Sequence, residues 1–135
     1  MYYDDITEVL HLEGKRSFEG YNIRGNGKSD VSQRKVFRCD LHAEKIDAFF
    51  DLVKSISVEA DAILSSLQFG NFSLSLRENE VYVYYEHCGM QYEKDFETLI
   101  NHPFMKKFRA EAEAYMSPNK SGNLYTEYKQ IFYSL

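Results

Sequence analysis

The chain has no tryptophan, only two prolines and two cysteines, and no long apolar run. No window approaches the roughly 20 apolar residues of a membrane span, and no apolar stretch of signal-peptide length follows Met1. We therefore expect a cytoplasmic protein that does not insert into membranes. In that compartment Cys39 and Cys88 are expected to be reduced thiols, with a disulfide in a secreted protein as the alternative.

What the chain does have is length for one core and many aromatic residues. Its 135 residues fit one domain, and we assign residues 1–135 to it. The 11 tyrosines matter more than the 10 phenylalanines. Tyrosine serves at interfaces as often as in cores, because its ring packs while its hydroxyl stays in water.

Charge is distributed unevenly along the chain. The formal net charge is −5, yet residues 15–39 contain seven basic and two acidic residues, which leaves the remainder strongly acidic. Such asymmetry bears on partners and association rates rather than on fold. Two interpretations stay open: the acidic surface is free to meet a partner, or the basic segment folds back and neutralises it.

The strongest structural signal is a β-hairpin over residues 71–87. With Glu78-Asn79 at the turn, the predicted pairs are Arg77 with Glu80, Leu76 with Val81, Ser75 with Tyr82, Leu74 with Val83, Ser73 with Tyr84 and Phe72 with Tyr85. This register places apolar side chains on one face and Tyr82 and Tyr84 on the other. Asn79 is expected to adopt the positive φ that such a turn needs.

Helical periodicity follows and precedes this hairpin. Apolar residues recur at helical spacing from Ile46, with Asp40 as a candidate cap, and residues 42–67 form either one helix or two. Pro103 predicts a break at Asn101-His102 and a new helix after it. Leu124 to Leu135 predicts a short amphipathic helix. Together these elements predict an α+β fold: a small antiparallel sheet of three to five strands with helices packed on one face.

The segment before residue 31 is the least regular. Residues 6–12 have the composition of a strand, with a helical turn as the alternative, and residues 14–30 form a Gly-rich basic loop. Asn22 to Ser29 matches the second half of a phosphate-binding P-loop but lacks its first glycine and the flanking strand and helix. Arg24 and Lys28 are therefore candidate anion-binding residues in a flexible loop, not parts of a nucleotide hydrolase.

Metal binding and covalent catalysis have weak signals. Cys39, His42, His87 and Cys88 are the residue types of a zinc site, but neighbouring side chains on a strand point to opposite faces. Cysteines buried as small apolar residues are the simpler interpretation. We predict no metal, no cofactor and no catalytic residue, and keep a small Cys/His-dependent enzyme as a second alternative.

The favoured function combines the acidic helix with the tyrosine face. Asp47 and Asp51 on the helix and Tyr82 and Tyr84 on the sheet are the predicted partner-binding residues. Charge speeds encounter with a basic protein and aromatic anchors slow dissociation, as in immunity proteins and phage anti-defence inhibitors. We therefore predict a non-enzymatic inhibitor that blocks a macromolecule. A nucleotide- or nucleic-acid-binding protein using the basic loop is the first alternative, and the oligomeric state is not indicated.

Overall fold

A computed structural model of the chain describes residues 7–14 and 31–128, which form a six-stranded antiparallel sheet and three α-helices. The strands are β1 (Thr7–Gly14), β2 (Val31–Leu41), β3 (Phe69–Arg77), β4 (Glu80–Cys88), β5 (Met116–Ser117) and β6 (Tyr125–Tyr128). The helices are α1 (Ile46–Ser66), α2 (Tyr92–Asn101) and α3 (Pro103–Glu113), with a 3₁₀ turn at Ala43–Lys45. The strand order is β1-β3-β4-β2-β5, and β6 also pairs with β2.

The predicted α+β fold, with helices on one face of an antiparallel sheet, is confirmed. The sheet is larger than predicted because two short strands add to the free edge of β2. β5 pairs with Asp40 and Leu41, and β6 pairs with residues 36–39. A single domain stays a prediction, and most of the Gly-rich basic loop (residues 15–30) lies outside the described residues.

The core lies between the sheet and α1. Residues 46–66 form one continuous helix, which settles the question of one helix or two, and its buried face includes Phe49 and Val53. These side chains pack in one cluster with Leu74 and Val81 of the hairpin. Asp40 does not cap this helix, because it lies in β2 and accepts a hydrogen bond from the Arg38 guanidinium at 2.9 Å.

The hairpin forms in the predicted register over most of its length. Pairs from Arg77–Glu80 to Ser73–Tyr84 are confirmed. The pair of Phe72 with Tyr85 is not formed, because the register shifts between Gly70 and Ser73. The two rings still stack, with centroids 6.5 Å apart.

The hairpin turn differs from the prediction at its positive φ. Glu78, and not Asn79, has the positive angle, at 55°. Asn79 instead donates its side-chain amide to the Leu41 carbonyl oxygen at 2.8 Å, and the Leu41 amide donates to the Asn79 carbonyl at 2.9 Å. These two hydrogen bonds join the turn to the end of β2. Asn79 suits this position because of its side-chain amide and not because of its backbone angle.

We predict that Glu78→Gly stabilises the protein. A non-glycine residue in the left-handed region costs roughly 1–2 kcal/mol, and glycine removes this cost. Part of the gain is offset, because glycine has more backbone entropy to lose when the chain folds. The net gain in the free energy of unfolding should be about 0.5–1 kcal/mol, measured by urea denaturation. Asn79→Gly is the matched control and should destabilise, since it removes the bond to Leu41. Equal effects of the two changes would contradict this account.

The two remaining helix predictions have opposite outcomes. The break before Pro103 is confirmed: His102 ends α2 and begins α3, and its Nδ1 accepts the Phe104 amide at 3.2 Å. The helix predicted from Leu124 is wrong at Tyr125–Tyr128, which is strand β6. No helix within the described ranges is long and apolar enough to cross a bilayer.

Candidate functional site

The face of the sheet that points away from the helices is polar. Side chains alternate along each strand, so the residues between the core positions of the hairpin and of β2 emerge on this second face. We call it the polar sheet face and define it by His11, Arg34, Arg38, Ser73, Ser75, Arg77, Glu80, Tyr82, Tyr84 and Glu86.

We use the word groove for the space above β3, between the side chains that β1 and β4 present on this face. The register forms two cross-strand rows, His11–Ser73–Tyr84 and Glu8–Ser75–Tyr82. In each row a small serine lies between larger side chains on β1 and β4. Because strands lie about 4.8 Å apart, the outer residues of a row are separated by about 9.5 Å at the backbone. The groove thus has a floor of two serines and walls of unlike chemistry.

The β1 wall carries a histidine flanked by carboxylates. His11 Nε2 lies 3.3 Å from Glu13 Oε1, and Nδ1 lies 3.9 Å from Glu8 Oε2. The His11 side chain is 32% exposed, so a ligand in the groove can reach it. An imidazole can both accept and donate a proton near neutral pH, and the carboxylates orient its ring.

The β4 wall carries a tyrosine joined to a carboxylate. The Tyr84 hydroxyl donates to Glu86 Oε2 at 2.5 Å, and the Arg34 guanidinium lies 3.8 Å from the same oxygen. Burial and this hydrogen bond raise the pKa of Tyr84, so its hydroxyl keeps its proton at neutral pH. Tyr84 and Glu86 form a short path along which a proton can move.

At one end of the polar sheet face, two guanidinium groups surround a carboxylate. Arg77 Nε donates to Glu80 Oε1 at 2.8 Å, and Arg38 Nη2 lies 2.8 Å from Glu80 Oε2. Burial alone would raise the pKa of Glu80, but hydrogen bonding and charge from the two arginines hold it below its usual value. Tyr82 donates to Glu80 at 3.2 Å, which fixes its ring beside the groove.

A second polar cluster lies on the core face, around a fully buried histidine. His87 is fully buried, and its Nε2 lies 2.8 Å from Asp95 Oδ2 near the start of α2. The Tyr85 and Tyr92 hydroxyls are 2.9 Å apart beside it. These pairs join α2 to β4, so we assign them a structural role. Across residues 7–14 and 31–128, no group of three or more His, Cys, Asp or Glu side chains could hold a metal ion.

An apolar cavity of about 210 Å³ lies between the sheet and the helices. Its walls include Leu74 and Val83 from the sheet and Val53, Ala60 and Phe108 from the helices. Its walls offer few hydrogen-bonding groups to a polar ligand. The groove is therefore the better candidate for a site that binds polar molecules.

The four predicted partner-binding residues do not share a surface. Asp47 and Asp51 are exposed on α1, which packs on the core face, whereas Tyr82 and Tyr84 lie on the polar sheet face. The sheet therefore separates the two halves of the predicted surface. Their role in meeting a protein partner stays a prediction.

The basic segment is partly neutralised by the chain's own acidic groups. Arg34 and Arg38 pair with carboxylates on β4 and β2, and Lys35 lies 3.6 Å from Glu127 on β6. The predicted anion-binding residues Arg24 and Lys28 lie outside the described residues.

The cysteines do not supply a nucleophile. Cys39 and Cys88 are not joined in a disulfide and are both buried, with 3% and 1% of their surfaces exposed. Burial raises the pKa of the Cys39 thiol to about 12, so it stays protonated and packs as an apolar group.

The residues that sequence reasoning missed are His11, Ser73, Ser75 and Glu86. Alternation along β4 placed Tyr82 and Tyr84 together, and one further step would have added Glu86. His11 could not be found in this way, because its neighbours come from the pairing of β1 with β3, which are about 60 residues apart in the chain.

The fold resembles that of a known enzyme. No protein-family model matches the chain, and no curated protein matches it. Among solved structures it is similar to the crystal structure of L-rhamnose mutarotase FA22100 from Formosa agariphila, with a TM-score of 0.60 and 17% identity. The match covers 77% of this chain and 100% of that chain. At this identity the likeness shows the fold alone.

This comparison corrects the functional prediction. We predicted a non-enzymatic inhibitor of the immunity or phage anti-defence type, and that prediction is wrong: the structural neighbour is a mutarotase, an enzyme. The physical reason for the error is the sheet itself. It places the acidic helix and the tyrosines on opposite sides, and the tyrosines lie beside proton-carrying groups that the sequence did not bring together.

Proposed function

We propose that the chain is an enzyme that interconverts the anomers of a small sugar in the groove of the polar sheet face. One observation carries the proposal: His11 and the Tyr84–Glu86 pair stand on opposite walls, two strands apart, over a floor of small hydroxylated side chains. The shared fold with a rhamnose mutarotase supports the same reaction class.

The groove has the chemistry that sugars need for binding. A sugar presents hydroxyl groups around its edge and C–H groups on its faces. The Glu80 carboxylate and the arginines around it can meet hydroxyl groups through charge-assisted hydrogen bonds. The ring of Tyr82 can pack against the C–H groups while its hydroxyl stays bonded to Glu80.

The two walls can move the protons that anomer exchange requires. A cyclic hemiacetal opens to an aldehyde when its anomeric hydroxyl loses a proton, its ring oxygen gains one and the ring C–O bond breaks. Tyr84 accepts the anomeric proton as its own proton passes to Glu86, and protonated His11 donates to the ring oxygen. Ring closure on either face of the aldehyde returns both protons and yields either anomer.

We place the enzyme in the cytoplasm. Its two cysteines are buried and are not joined in a disulfide, a state that suits a reducing compartment.

The test is direct measurement of anomer exchange. We expect purified protein to speed α/β interconversion of L-rhamnose or another aldose, seen as NMR magnetisation transfer between anomeric protons, in proportion to enzyme concentration. The spontaneous rate in the same buffer is the reference. Exchange at the spontaneous rate across a panel of aldopentoses, aldohexoses and deoxy sugars would contradict the proposal.

A further inference from the structure

The apolar cavity lies on the side of the sheet opposite the groove. Leu74 and Val83 line it, and their chain neighbours Ser73 and Tyr84 lie in the groove. We propose that this cavity is a second ligand site, which takes a neutral apolar molecule of about ten carbon atoms. The inference does not depend on sugar chemistry in the groove.

The size and lining of the cavity define the ligand class. Apolar cavities of about 150 Å³ stay dry and bind benzene, so one of about 210 Å³ holds a ring with a short alkyl chain. The thiol of Cys39 on its wall is protonated and adds no charge. Water would find few of the polar partners it needs there.

The polar groups at the cavity exclude a charged ligand. Among the lining residues that the structure describes, Arg109 and Tyr125 are the polar side chains apart from Cys39, and both face the same carboxylate. Arg109 Nε lies 3.9 Å from Glu113 Oε2, and the Tyr125 hydroxyl donates to that oxygen at 2.9 Å. The charges of Arg109 and Glu113 already offset each other. A ligand carboxylate would therefore be repelled by Glu113 as well as attracted by Arg109, and it would also lose its hydration.

The experiment compares two probes of similar size. Butylbenzene is neutral, whereas 4-phenylbutanoate carries one carboxylate. We expect butylbenzene to raise the Tm of the full chain in a concentration-dependent way and to shift NMR signals of residues around the cavity. Binding of 4-phenylbutanoate should be at least about tenfold weaker, because a charge must be desolvated. Absence of butylbenzene binding, or equal binding of both probes, would overturn the proposal.

A filled cavity gives the matched control. Ala60 is 2% exposed on the cavity wall, and Ala62 is exposed on the same helix. Ala60→Leu should abolish butylbenzene binding, and Ala62→Leu should leave it unchanged. If Ala60→Leu does not fold, Val83→Ile reduces the same cavity by one methylene and should weaken binding. Unchanged binding in the folded cavity variant would refute the site, while sugar exchange in the groove is measured independently.

Discussion

Replacing His11 by Gln, or Tyr84 by Phe, is expected to slow enzyme-catalysed anomer exchange by roughly 10²- to 10⁴-fold. Gln keeps polarity and size but cannot carry the proton to the ring oxygen. Phe keeps the ring of Tyr84 but removes the hydroxyl that donates to Glu86 at 2.5 Å. Both variants should fold normally, because these side chains lie outside the core clusters.

Controls for this prediction are available on the same chain. His42 is exposed at the end of β2, and its side chain makes no capping hydrogen bond, so His42→Gln should leave the rate unchanged. Tyr115 packs on the helical side of the sheet, so Tyr115→Phe should also be silent. Full activity in both His11→Gln and Tyr84→Phe would remove the groove as the active site, even if the wild-type protein is an enzyme.

The second large effect is on stability. Phe69 is fully buried, and its ring centroid lies 4.8 Å from that of His87 and 5.5 Å from that of Tyr85. Phe69→Ala should lower the free energy of unfolding by about 3–5 kcal/mol, because it removes a large apolar side chain and leaves a void. That is a large fraction of the roughly 5–15 kcal/mol that stabilises a typical domain.

Denaturant unfolding measures this loss. Val58 is 79% exposed on α1, so Val58→Ala should change the free energy of unfolding by less than about 0.5 kcal/mol. A cost below about 1 kcal/mol for Phe69→Ala would mean that the aromatic cluster of Phe69, Tyr85, His87 and Tyr92 is not tightly packed. The apolar cavity is bounded by other residues, so its ligand binding should survive at temperatures where the variant is folded.

The features that could be predicted from the sequence are those that depend on a local residue pattern. Alternation over the hairpin and a two-residue turn set its register, and five pairs from Ser73–Tyr84 to Arg77–Glu80 form as expected. Helical spacing located α1, and Pro103 located the start of α3. Each of these signals lies within a segment of about 20 residues, where neighbours in the chain are neighbours in space.

Contacts between segments far apart in the chain could not be predicted from local residue patterns. Leu124, Tyr128 and Ile131 fit a helical template, yet Tyr125–Tyr128 pairs with β2, because an available strand edge outweighs the weak propensity of a short segment. The groove depends on β1 lying beside β3. No periodicity within either strand indicates that pairing, so the site could not be assembled from sequence alone.

Because side chains alternate along β3 and β4, a single layer of sheet separates the polar groove from the apolar cavity. Moving either strand by one residue would send serines and tyrosines inward and leucines and valines outward. These two strands should therefore accept many replacements of like character but no single-residue insertion or deletion. The length of the hairpin arms therefore has to be preserved as strictly as the side chains that line the groove.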